Sequence, residues 1–135
     1  MSVFSGEAFI ALDICRRPNI WPHLKITSGM DIAYAPCYVL DVPEGHRFPM
    51  QKYSLLKDQI LHEGIVTASD FFEPEVMHET DILRAHDAEY WHRTLNGLWT
   101  RQEERRSGFP WSAAMVERER VIMQGTLDCA KRALR

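Results

Sequence analysis

Residues 31–40 read DIAYAPCYVL, an apolar run that is continuous rather than alternating. That pattern predicts a strand buried on both faces, with Pro36 ending its regular part. Pro43 to Pro49 reads as a loop, after which Pro49 suits a first helical turn. Met50, Tyr53, Leu56 and Ile60 then recur at helical spacing until Gly64 stops the helix. Ile65 to Phe72 mixes β-branched and aromatic residues without a helical period and is closed by Pro74, which predicts a second short strand.

Helical spacing returns at Ile82, Leu83 and His86. Asp87 is placed to accept from the backbone N–H groups of a following turn, so a helix junction is expected at His86-Asp87. Tyr90, Thr94 or Leu95, and Leu98 form the buried stripe of the second helix, near Gly97. Arg101 to Gly108 reads as a solvated charged loop. A long last helix is expected from Ser112 as its cap, with Trp111 set to pack on Val116 across that cap. On that helix Met115, Ile122, Thr126, Cys129 and Ala133 share the apolar face, and Glu117 to Arg120 forms the wet side. Residues 1–29 mix apolar pieces such as Ala8 to Leu12 with breakers at Pro18 and Pro22. No repeat or linker divides the chain, so a single domain is expected.

Composition narrows the class more than the function. The chain has 135 residues, 45% of them hydrophobic and 26% charged, which is enough for one small globular domain. Its net charge of −3 gives no positive field for nucleic acid, and the arginines of 101–106 and 117–120 alternate with glutamates. Three scattered cysteines, Cys15, Cys37 and Cys129, form neither a C-x-x-C pair nor a disulfide framework, and a reducing cytoplasm is the expected compartment. No apolar run reaches the roughly 18–20 residues of a membrane span, and Glu7 and Asp13 interrupt any secretory signal.

The six histidines do not assemble a metal motif by spacing. His86 and His92 fall on different sides of a helix, there is no H-E-x-x-H, and His23, His46, His62 and His78 stand singly. No G-x-S-x-G elbow or glycine-rich phosphate cradle is present. Glu75, Glu79 and Asp81 cluster at a helix start, where the helix dipole accounts for them. Catalytic and metal-ligating residues are therefore expected to be absent from this chain.

Three segments nonetheless carry a resemblance. HRFPMQKYSLL (His46 to Leu56) after IAYAPCYVL, ILRAHDAEYWHRTLNG (Ile82 to Gly97), and Gly108 to Leu134 together resemble the opening of the zinc-dependent histone deacetylase-like amidohydrolases, particularly their bacterial branch. The resemblance implies an α/β chain: a partial arginase/deacetylase-like fold over residues 30–135, with short parallel strands, flanking helices and an incomplete sheet. Residues 1–29 match nothing in the family pattern, and they read either as an extension ahead of an ancestral start at Met30 or as a helix packed on the domain.

In that family, zinc polarises the amide carbonyl of an acetylated amine, paired histidines activate water and a tyrosine steadies the oxyanion. All of these groups lie beyond the matched region, so the resemblance implies framework and cavity wall here, with zinc belonging only to the complete enzyme. Arg47 matches the arginine that faces the internal cavity; its alternatives are to cap the loop or to pair with Glu44. Gly108, Phe109, Pro110 and Trp111 match the loop at the substrate entrance, although glycine replaces an aspartate that in several relatives accepts from the substrate backbone. His86 and Asp87 match a helix junction. An incomplete sheet leaves strand edges open, which predicts marginal stability, self-association or a complementing chain. The other reading is an interaction or regulatory module.

Overall fold

The computed structural model describes residues 30–134, so the expectations for residues 1–29 lie outside the described residues. The chain is mixed α/β and mostly helical, with a two-stranded parallel sheet. Strand β1 (Ile32–Ala33) pairs in parallel with β2 (Phe71–Phe72), Ile32 opposite Phe71 and Ala33 opposite Phe72. The Tyr34 N–H extends the ladder by donating to the Phe72 carbonyl at 2.9 Å.

Both strands are shorter than their apolar runs suggest. After Ala35, Pro36 opens a 3₁₀ turn (Pro36–Tyr38), because proline lacks the N–H a strand would need and its fixed φ suits a turn. Before β2, Thr67 and Asp70 close a capping box around a second 3₁₀ turn (Ala68–Asp70), and the side-chain bonds compete with the ladder. Those bonds from Thr67, backbone first, hold the Asp70 carboxyl below its usual range.

Helix α1 (Lys52–His62) connects the strands, followed by α2 (Glu79–Ile82), α3 (Ala88–Leu95), α4 (Arg101–Ser107) and α5 (Ala113–Ala133). The break at His86-Asp87 is present, and Asp87 accepts from the N–H groups of Glu89 and Tyr90. Segment 101–107 is a helix rather than a loop. Thr100 and Glu103 form a second capping box, and Gly108 ends the helix with a left-handed φ of 81°.

The buried faces also differ from the expected stripes. On α1, Leu56 is 64% exposed and no residue is buried. On α3 Thr94 is inward as expected, together with Trp91, whereas Tyr90 and Leu95 stand outside, as does Leu98 beyond the helix end. On α5 the buried residues are Met115, Val116, Arg118, Val121 and Gly125. The main cluster joins Leu40, Met50, Met77, Ile82, Trp91, Met115 and Val116, with Trp111 packed against it. A smaller cluster of Ala35, Tyr38 and Val121 seats the sheet on α5.

Gly125 makes that seat possible. A Cβ there would come within 2.8 Å of the Tyr38 hydroxyl, 3.0 Å of Pro74 and 3.1 Å of the Ala33 Cβ. Arg118, placed by its sequence context on the wet side, is 3% exposed and its Nε donates to the Tyr38 carbonyl at 2.9 Å. Its charge is offset by an ion pair with Glu119. Arg120 donates from Nε and Nη2 to the Met77 carbonyl, and its own carbonyl accepts from the Met77 N–H. These two arginines satisfy carbonyls of the segments that leave β1 and β2, groups that would be costly to bury unpaired.

Candidate functional site: a groove between the 43–49 loop and α4

Two segments distant in sequence meet at His46. Its Nδ1 accepts from the Phe48 N–H at 3.2 Å, which leaves Nε2 as the protonated nitrogen to donate to the Gly108 carbonyl at 3.0 Å. The imidazole stacks on Phe109 with centroids 5.2 Å apart, and Phe109 meets Phe48 edge-on. His46 stands alone among the histidines by spacing, yet it is the pin that fixes the 43–49 loop to the turn after α4. A histidine gives no local signal for a partner 62 residues away.

Beside this pin lies a shallow, widely open groove of about 530 Å³ lined by His46, Arg47, Arg101, Glu104, Arg105, Gly108, Phe109 and Pro110. The structure thus brings Arg47 together with Gly108, Phe109 and Pro110 of the entrance-loop set. The Arg47 Nη2 lies 3.8 Å from where a Gly108 Cβ would sit, and Arg47 is exposed, without an ion pair to Glu44 or another hydrogen-bond partner among the described residues. On its other side the 42–51 loop borders an open cavity of about 750 Å³.

Trp111 is directed elsewhere. Its Nε1 donates to the Thr94 carbonyl at 2.8 Å and its ring covers Gly97, where a Cβ would meet ring carbons at 3.0 Å. The indole therefore couples α3 to the start of α5 and does not line the groove.

The glutamates of α4 are drawn away from the arginines around them. Glu103 accepts from the Thr100 N–H and hydroxyl and pairs with Arg93. These interactions, the Thr100 backbone bond foremost, hold its carboxyl below the usual range. Glu104 accepts from the Trp111 N–H at 3.2 Å. Arg101 and Arg105, one helical turn apart, are left facing the groove without an acceptor among the described residues.

A second cavity, about 200 Å³ and mainly apolar, lies between α3 and α5 and is lined by Ile82, His86, Tyr90, Trp91, Met115 and Met123 among others. His86 contacts Tyr90, with centroids 6.0 Å apart. Burial raises the pKa of the Cys37 thiol and of the Tyr38 hydroxyl, which leaves both in their neutral forms. Among the described residues no three His, Cys, Asp or Glu side chains converge as a metal site, and no helix is long and apolar enough to cross a membrane.

No family model matches the chain. An uncharacterized protein of Picosynechococcus sp. is 34% identical over 106 residues, a match that covers 78% of this chain and 35% of that protein. The chain therefore spans about a third of the length of the curated relative it matches.

Proposed function

We propose that residues 30–134 are the N-terminal framework and cavity wall of a zinc-dependent histone deacetylase-like amidohydrolase, without catalytic activity of their own. The observation that carries this reading is the hydrogen bond from His46 to Gly108. It joins two of the segments that resemble the family, and it places Arg47 beside the loop expected at the substrate entrance. The parallel β1–β2 pair agrees with the start of a larger parallel sheet, and the matched relative is nearly three times as long as the region that this chain covers.

The described residues do not fit a zinc centre, since no donor set converges among them. Hydrolysis of an acetylated amine requires side chains outside them, from further sequence or a complementing chain, and a cytoplasmic setting belongs to the same reading. What these residues supply is a rigid wall: the His46 pin holds the loop, and Arg47 stands beside it with its donors open.

The test is metal analysis and an acetyl-lysine peptide assay on the purified chain with added zinc, where neither stoichiometric zinc nor turnover is expected. One equivalent of bound zinc with turnover would overturn the non-catalytic assignment. Translation of the DNA downstream tests the family: a glycine-rich segment with paired histidines supports it, and unrelated sequence favours a free-standing module. That second reading has its own observation, namely Leu55 and Leu56 at 58% and 64% exposure on a helix that buries no residue. Coprecipitation with a full-length deacetylase would support it.

A further inference from the structure

We propose that the groove between the 43–49 loop and α4 is an oxyanion-binding site, in which Arg47, Arg101 and Arg105 hold a carboxylate or phosphate group of a small ligand. The site goes beyond the deacetylase-like reading: that resemblance singled out Arg47 and the loop at Gly108, and the two arginines of α4 that join them here are not part of it.

Five arginines of the described residues find acceptors within the chain. Arg84, Arg93 and Arg132 pair with Asp81, Glu103 and Asp31, while Arg118 and Arg120 are bound to backbone carbonyls. Arg47, Arg101, Arg105 and Arg106 have no such acceptor among the described residues, and the first three of them line one groove. Their concentration there follows from the fold, which engages Glu103 with Thr100 and Arg93 and Glu104 with the Trp111 N–H. Glu104 is the single carboxylate of the lining, against three guanidiniums.

The chemistry of the lining selects the ligand class. Guanidinium groups offer planar pairs of N–H donors that match carboxylate and phosphate oxygens, so a group with two or more oxygens can engage more than one of them. Gly108 adds no side chain on the Arg47 side, and the groove is large enough for a small organic acid or phosphate ester. His46 is not a competing donor, because both of its ring nitrogens are already used. Exposed charge pairs are individually weak and screened by salt, so affinity depends on several arginines acting together.

The test is a heteronuclear NMR titration of the whole chain with inorganic phosphate and, separately, with succinate, at constant ionic strength. Saturable shifts centred on Gly108 and the Arg47, Arg101 and Arg105 side chains are expected with at least one probe, and the stronger one identifies phosphate or carboxylate as the preferred group. Arg101→Gln/Arg105→Gln should weaken that binding by about tenfold or more, the equivalent of about 1.4 kcal/mol. Arg106→Gln, on the same helix but outside the groove, should leave it unchanged. The proposal is overturned by shifts that fail to saturate with both probes, or by an equal loss in the Arg106 variant. All of these positions are exposed, so the variants test binding rather than folding.

Discussion

At the scale of single residues, Gly125 and Arg118 show how much one position on α5 is governed by what lies opposite. Alanine is preferred over glycine inside a helix by about 0.5–1 kcal/mol. Here the added methyl would press on the Tyr38 hydroxyl, on Pro74 and on the Ala33 Cβ, and the last of these is fixed by the strand backbone. Overpacking of this kind costs about 1–3 kcal/mol, so the clash outweighs the propensity gain. Gly125→Ala should therefore destabilise the chain by about 1–2 kcal/mol and lower its thermal midpoint by several degrees. Differential scanning calorimetry decides the matter, and a raised midpoint would show that the sheet can shift away. Glu117, Glu119 and Arg120 surround Arg118 in sequence, which predicts a solvated side chain. A helix turns every 3.6 residues, however, and the same run of charges presents one member inward, where the Tyr38 carbonyl needs a donor.

At the scale of elements, α4 shows a local signal that charge density obscured. Thr100 followed three residues later by Glu103 is the signature of a capping box, and both halves of it are formed. The depressed pKa of Glu103 gives this helix a pH dependence of known sign. A carboxylate whose folded pKa lies below its unfolded one stabilises the fold above the unfolded value. That stabilisation is lost as pH falls through the depressed folded value. Amide protection across Arg101–Ser107, taken relative to the intrinsic exchange rate at each pH, should accordingly fall only once pH drops below the ordinary carboxylate range. Thr100→Ala should lower it several-fold at neutral pH as well, by removing the cap. Protection that stays unchanged in the variant would mean that packing alone holds α4. Other elements were legible from the start: the His86-Asp87 break, the Asp87 cap and the Ser112 cap on α5 are all present. Each is written within one helical turn of sequence.

At the scale of the whole molecule, the sheet among the described residues is only two strands wide. Among the described residues β1 and β2 have only each other, so each leaves an outer edge without a strand. Leu55 and Leu56 add exposed apolar surface on the helix that connects them. Open edges and apolar faces favour association, and the chain should form dimers or larger species at micromolar concentration in sedimentation velocity. A single monomeric boundary across that range, with cooperative thermal unfolding, would show that these surfaces do not drive association.

Sequence by itself determined the features whose physics is local: the Asp87 and Ser112 caps that start α3 and α5, the proline that ends β1, and that a short strand lies within each of the runs at 31–40 and 65–72. It did not show that a 3₁₀ turn takes up part of each run or that 101–107 is a helix. It also brought Arg47 and Gly108 to Pro110 under suspicion through resemblance, although it could not place them together. Only the tertiary structure decided which face of each helix is inside, that Trp111 turns to Thr94, and that His46 ties two loops. It also decided that Arg101 and Arg105 face Arg47 while the neighbouring glutamates bond elsewhere. Those outcomes depend on partners tens of residues away, competing for the same hydrogen-bond acceptors and the same buried volume. A chain read one turn at a time contains neither side of that competition.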